Sequence, residues 1–460
     1  MSSSLKINIV TFFIVLMTLT IYVPPKIKGQ LIQRIYSTGA TVYSKNGFGG
    51  KTVVKISLGS QKYSIEYEGD IILSDDDKDI IDITRDGFIQ IKKTAFGGKR
   101  KLFISSEGKG KLDRRYYVDG RKKEYEPNGR IWLSEILPEV IRSIPFGAEN
   151  RVNRFYKKGG TSAVLDEVQE MESDYMRSIY LGFLLDRDLS AQELTTIIKM
   201  ASQELNSDHY LSEILKKNQA AFFKNQTTIT AYLKACKELD SDHYLLNVLK
   251  KIIRNDNIAS SQMTALLQLA KNISSDHYLT EFLTAVLRND NLKETDLENI
   301  LKVSSNINSS HYKTIVLKEV IKNEYIEKTD LSFLVNEIKG VASDHYKTEI
   351  ILELAKKKLD NKNLSMLIDI TSNSIASDHY ATTTIKKIIK NRDLTNPQLL
   401  KVLTSIKTAV QSDHYLTEIL LELVPKVNAS KDDAVRKAYR TACRELNSET
   451  YFGRAMRPLE

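Results

Sequence analysis

Seven histidines are the residues of this 460-residue chain best suited to chemistry, and all seven occur in one setting. His209, His243, His277, His311, His345, His379 and His414 are each followed by Tyr. Each is preceded by Ser-Asp, or once by Ser309-Ser310. Five intervals are 34 residues long and the sixth is 35. Imidazole beside carboxylate is the material of a metal site or a pH-responsive row. Zinc takes its ligands at about 2.0–2.1 Å, whereas stacked helices stand about 8–10 Å apart. Histidines one repeat apart are thus at the edge of sharing an ion. The stronger expectation is structural, with each imidazole donating to the Asp, to a carbonyl or to the next repeat's cap. The seven histidines remain the candidate metal ligands.

The elements that must position them follow from the period. Copies align at Ser173-Asp174, Ser207-Asp208, Ser241-Asp242, Ser275-Asp276, Ser309-Ser310, Ser343-Asp344, Ser377-Asp378 and Ser412-Asp413, with a degenerate Ser448-Glu449 at the end. Each unit of about 34 residues carries two apolar-periodic segments. That is a helical hairpin, which buries its apolar face only by stacking on its neighbours. The serines Ser207, Ser241, Ser275, Ser309, Ser343, Ser377 and Ser412 are read as helix caps, accepting from first-turn amides. The Asp then lies in the first turn, where the helix dipole favours negative charge. Four and five residues after each Tyr come apolar pairs such as Ile214-Leu215, Val248-Leu249 and Phe282-Leu283. Residues four apart share a face, so the Tyr is expected in the apolar core. Four residues after each His the sequence is mainly polar, as at Glu213, Asn247, Glu281 and Glu349. This places the histidines in a row along one edge. Cys236 and Cys443 occupy a position that elsewhere holds Ser202, Ala270, Ser304 or Ser372. They read as small packing residues, with no disulfide between them.

The N-terminal third alternates apolar and polar residues. Runs at 52–58, 63–67, 87–91, 101–104 and 115–118 read as strands, and Asp119-Gly120 as a two-residue hairpin turn. The acidic run 74–79 lacks the Gly and closing Glu of an EF-hand loop and reads as a solvated turn. From Gly129 onward the spacing of Trp132, Ile136, Val140 and Ile141 is helical. A second helix from Ala148 ends at Gly159-Gly160. The expected fold class is α+β, an N-terminal antiparallel β domain followed by a right-handed-type α-solenoid of about 34-residue helical hairpins. Its expected divisions are a leader at 1–29, a β domain at 30–127, a helical connector at 128–172 and the solenoid at 173–460. In the leader, Lys6 precedes an apolar run from Ile9 to Val23, then Pro24-Pro25. This is the pattern of an export signal, with an uncleaved membrane anchor as the alternative.

Chemistry is otherwise sparse. The sequence has no His-Glu-x-x-His, no cysteine metal cluster, no phosphate-binding glycine loop and no G-x-S-x-G elbow. A formal charge of +9 permits contact with an anionic surface without requiring it. The repeat resembles that of an uncharacterised family of exported bacterial proteins with Ser-Asp-x-Tyr helical repeats. The resemblance extends to the stretch from Arg115-Tyr116-Tyr117-Val118-Asp119-Gly120-Arg121 through Trp132-Leu133, Leu137-Pro138-Glu139, Phe146-Gly147-Ala148-Glu149 and Arg151-Val152 to Ser173-Asp174-Tyr175. Similar repeats occur in extracytoplasmic parts of antirepressor-type membrane metallopeptidases, whose metal motif and membrane helices this sequence lacks. The resemblance implies a secreted or periplasmic protein in envelope signalling or interaction. The expected function is a non-enzymatic scaffold without cofactor that binds a protein or peptide. Membrane contact is expected only through an uncleaved leader. An envelope sensor responding to pH or metal through the histidine row is the alternative. A helical-repeat nucleic-acid binder is disfavoured by the export signal.

Overall fold

The computed structural model describes residues 33–37, 40–46, 51–58, 61–254, 260–289, 292–327 and 331–459. The apolar leader lies outside the described residues, as does Gly49-Gly50, a glycine pair that reads as a turn between strands. An antiparallel sheet is followed by helical repeats, as the α+β expectation has it. The chain divides into two compact units. The first comprises residues 1–189 with 203–206, and the second 190–202 with 207–460.

The first unit is built on a meander. Strands β1 (Gln33–Ser37), β2 (Ala40–Asn46), β3 (Thr52–Leu58), β4 (Gln61–Glu68), β7 (Phe88–Ala95), β8 (Gly98–Gly108), β9 (Lys111–Val118) and β10 (Arg121–Lys123) pair in that order, each antiparallel to the last. The short hairpin β5 (Ile71–Leu73) and β6 (Ile80–Ile83) interrupts the series between β4 and β7. Period-two alternation turns Val54, Tyr63, Ile65, Ile89, Ile91, Leu102, Ile104 and Tyr116 to one face. Helix α1 (Asn128–Ser143) covers that face with Trp132, Leu133, Ile136, Leu137, Val140 and Ile141, all buried. Trp132 packs on Tyr116 with ring centroids 5.7 Å apart. Helix α2 (Ala148–Gln169) is broken at Gly159 and Gly160, where Gly160 has φ 64°, ψ −153°. Helix α3 (Asp174–Leu185) follows.

The acidic run 74–79 is not the solvated turn expected of it. Asp75 and Asp76 are exposed, but Asp77 and Asp79 are drawn inward by arginines far along the chain. Arg151, 2% exposed, places Nη2 2.9 Å from Asp77 Oδ2 and 2.8 Å from Glu167 Oε1. Arg154 also pairs with Asp77, and Tyr180 meets Arg151 Nη1. Arg130 reaches Asp79 at 2.7 Å. A buried cation is tolerated only when paired and hydrogen-bonded, which is why the turn folds onto the helices. Burial alone would raise the pKa of Glu167, but hydrogen bonds from Arg142 and Arg151 hold it below the ordinary 4.5. A depressed carboxylate stabilises the folded state above its unfolded pKa, and that contribution is lost as pH falls through the folded value. The first unit, followed by the fluorescence of its one Trp, should therefore lose stability below about pH 4.5. A Glu167→Gln variant should show a flatter acid limb.

The second unit stacks helices in two layers. Its first layer holds α4 (Ala191–Glu204), α7 (Gln226–Cys236), α9 (Ser260–Ala270), α11 (Glu294–Ser304), α13 (Ser332–Lys339), α15 (Asn361–Ser374), α17 (Asn396–Ala409) and α19 (Asp433–Cys443). The second layer holds α5 (Asp208–Lys217), α8 (Asp242–Ile253), α10 (Asp276–Leu287), α12 (Ser310–Lys322), α14 (Asp344–Leu354), α16 (Asp378–Lys390), α18 (Asp413–Ala429) and α20 (Glu449–Met456). A one-turn helix α6 (Gln219–Phe222) sits in the loop after α5. Apolar pairs such as Ile214-Leu215, Val248-Leu249 and Phe282-Leu283 are buried between the layers. Cys236, Ala270, Ser304, Ser372 and Cys443 are buried as well, so the small position is a packing position. Both cysteines are free. Burial pushes the Cys443 thiol up to about 11, away from thiolate chemistry.

Candidate functional site

Each second-layer helix starts one residue after its Ser, at the Asp, or at Ser310 in the variant copy. All seven serines hold the N-cap position, with φ between −94° and −69° and ψ between 117° and 127°. The hydroxyl cap expected of them forms at Ser275 alone, where it accepts from Tyr278 N at 3.5 Å. Ser207, Ser241, Ser309, Ser343, Ser377 and Ser412 make no such side-chain cap. The fixture at this corner is the neighbouring aspartate. Asp208 accepts from the N–H of Ser241 at 2.6 Å, Asp242 from Ser275 at 2.7 Å and Asp276 from Ser309 at 2.7 Å. Asp344 accepts from Ser377, Asp378 from Ser412 and Asp413 from Ser448, at 2.7–2.8 Å. Each carboxylate thus sits at its own helix N-terminus and grips the backbone one repeat on, a charge-assisted bond.

Ser310 breaks the series. It has no carboxylate to offer, and among the described residues the amide of Ser343 has no such partner. Ser310→Asp should therefore add a clamp and a favourable first-turn charge, raising stability by roughly 1 kcal/mol. Thermal unfolding monitored by far-UV circular dichroism would read this as a higher midpoint.

At the opposite helix ends cations reach back to free carbonyls. Lys251 donates to Lys216 O at 2.5 Å, Lys357 to Lys322 O at 3.3 Å and Lys426 to Arg392 O at 2.7 Å. Positive charge at a helix C-terminus is favoured by the dipole. A cavity of about 840 Å³ opens there, ringed by Lys216, Lys217, Lys250, Lys251 and Arg254. Lys216 and Lys250 are already paired, with Glu213 and Glu281.

The histidines and tyrosines meet at the clamped ends. Every one of the seven imidazoles is exposed, and every following phenol is half-buried rather than in the core. Within a copy the His and Tyr ring centroids stand 5.0–5.4 Å apart. Each His also lies 5.8–6.2 Å from the Tyr of the next copy, as His209 does from Tyr244 and His414 from Tyr451. Seven imidazoles and eight phenols therefore alternate without a break from Tyr210 to Tyr451. The tilted and edge-on ring angles are those that aromatic quadrupoles favour. The expectation of a core tyrosine fails because it sits in the first helical turn, at the rim of the stack. There the imidazole of the preceding copy lies against it.

Charges flank the ladder. His345 Nε2 lies 3.2 Å from Glu349, His277 Nε2 lies 4.0 Å from Glu281, and Asn247 Nδ2 meets His243 Nε2 at 3.0 Å. The same glutamates bind lysines of the preceding copy, Lys250 to Glu281 at 2.6 Å and Lys318 to Glu349 at 3.1 Å. Among the described residues the imidazoles lie against tyrosines, and none donates to the Asp or to the next cap. Among the described residues no group of three or more His, Cys, Asp or Glu side chains is arranged to hold a metal ion. No helix among them is long and apolar enough to cross a membrane.

No family model and no curated protein sequence matches this chain. Among solved structures, a similar chain comes from work described as "Computational Design of Self-Assembling Cyclic Protein Homooligomers". It is 10% identical with a TM-score of 0.11, over 67% of this chain and 95% of that one.

Proposed function

We propose that this chain is an exported, non-enzymatic scaffold that binds a protein or peptide along its helical repeats. The observation that carries the reading is the unbroken His–Tyr ladder. Alternating imidazole and phenol rings offer donors, acceptors and apolar faces at a constant interval. Stacked helices lie about 8–10 Å apart, and one three-residue turn of a polyproline II chain spans about the same length. A peptide lying along the ladder would thus present one side chain per repeat. Grooves lined by aromatic residues are a known means of holding such chains.

The test is capture from the native envelope by the mature protein, compared with a His243→Ser, His277→Ser, His311→Ser variant. These side chains are exposed, so the variant should keep its circular dichroism spectrum. A partner taken by the wild type and missed by the variant supports the reading. The same partner retained by both places binding elsewhere.

The carboxylates beside His277 and His345 favour one alternative, an envelope sensor responding to protons. Its signature is an unfolding midpoint that moves between pH 5 and 8 in the wild type and not in a His277→Gln, His345→Gln variant. A flat wild-type profile dismisses it.

A further inference from the structure

Among the described residues, three hairpins of the sheet turn through paired residues with positive φ. These are Phe96-Gly97 (49°, 82°), Lys109-Gly110 (53°, 73°) and Asp119-Gly120 (46°, 83°). The first place in such a turn favours Asn, Asp or Gly, because a bulky side chain is strained in the left-handed region. Phe96 accepts that strain and receives no packing in return, since 89% of its surface is exposed. Neither local conformation nor burial accounts for an aromatic here. Lys109 shares the backbone strain, but Phe96 alone of the three joins it to an exposed aromatic ring, and that pairing is the ground for a functional reading.

Cations surround the tip. Lys92 of β7 faces Lys101 of β8 directly in register, and Lys99 faces Thr94. Like charges opposite one another across strands repel, so folding alone does not favour them. Lys92, Lys99, Arg100 and Lys101 form no ion pair among the described residues. The Lys101 ammonium lies 3.8 Å from the centre of the Tyr117 ring. Lys93 is 3.9 Å from Glu139, and the carboxylate of Asp119 is occupied by the N–H of Lys99 at 2.8 Å. These five cations and Tyr117 ring a depression of about 220 Å³.

We propose that this end of the sheet docks on an anionic bilayer. A lipid phosphate headgroup enters the depression, and the Phe96 ring passes into the interface beside it. Basic side chains are attracted to an anionic leaflet, and an aromatic ring is suited to the headgroup boundary. The cations alone would fit any polyanion. The exposed ring singles out the bilayer, because a soluble polyanion offers it nothing apolar to enter.

The test uses the full chain with vesicles containing phosphatidylglycerol, and with pure phosphatidylcholine as control. A Phe96→Trp reporter in a Trp132→Phe background should shift its emission to shorter wavelength on the anionic vesicles alone. Added salt should reverse the shift. Because the reporter senses its own position, insertion of another segment would not mimic the signal. Phe96→Asn should raise the unfolding midpoint of the first unit, by relieving the strained turn, while weakening vesicle binding. That opposite pair of effects separates docking from misfolding. Lys92→Glu with Lys101→Glu should weaken binding by roughly 30-fold or more. An unmoved reporter on anionic vesicles overturns the proposal, as does vesicle binding that survives both Phe96→Asn and the double reversal. Inorganic polyphosphate binding with no reporter response to vesicles would likewise refute it.

Discussion

Arg151→Met should lower the stability of the first unit by about 3 to 5 kcal/mol, the cost of removing one partner from a buried ion pair. Arg151 is 2% exposed, and both carboxylates it holds are shielded. Without the guanidinium, Asp77 and Glu167 lose their shared cation, and Tyr180 loses its partner. The lower end of the range is expected, because Arg154 still holds Asp77 and Arg142 still holds Glu167. Arg151→Lys should fall between, since an ammonium keeps the charge without the fork that reaches two carboxylates at once. The measurement is straightforward, because the chain's one tryptophan, Trp132, lies in the core of the first unit. Its fluorescence in a urea titration reports that unit, while far-UV circular dichroism is dominated by the helices of the second. A loss below about 1 kcal/mol would mean that the network is not the fastener it is taken to be.

Asp242→Ala should be the most damaging of the clamp substitutions, costing about 2 to 4 kcal/mol. Its carboxylate accepts from Ser274 N at 3.2 Å, Ser274 Oγ at 2.9 Å and Ser275 N at 2.7 Å. It also supplies the negative charge in the first turn of its own helix. In stacked repeats, stability is close to a sum of unit and junction contributions. The loss should therefore concentrate where α8 meets α10, seen as faster amide exchange there than at the Asp378 junction. Asp242→Asn keeps an acceptor but not the charge, and should lose roughly half as much. Uniformly faster exchange along the whole stack would contradict a local clamp.

What was legible in the sequence was the part that repeats locally. The 34-residue period and the paired apolar segments led to stacked hairpins, and the alternation between 52 and 118 led to the sheet. Hidden from local spacing were contacts whose partner lies a repeat or more away. Helical geometry put the Tyr on the buried face, since residues four apart share a face. It could not show that the first turn lies at the rim, where the neighbouring His lies against the ring. Spacing places the Asp at a helix N-terminus, but its second bond, to an amide 33 to 35 residues later, has no local signature. The co-occurrence of Asp, His and Tyr in one short motif was the available signal, because side chains serving only their own helix need not recur together. The acidic run is opaque to local reading for the same reason. Asp77 looks solvated until Arg151, 74 residues onward, is brought beside it.

Among the described residues, the missing carboxylate at Ser310 leaves three clamps of the second unit before it and three after. The cation that reaches back across this same junction, Lys357, does so at 3.3 Å, longer than its counterparts at Lys216 and Arg392. A pull applied along the stack would find its weakest seam at the middle rather than at a frayed end. The array would part into two halves of similar length, each still stapled within itself and able to close again when the tension is released.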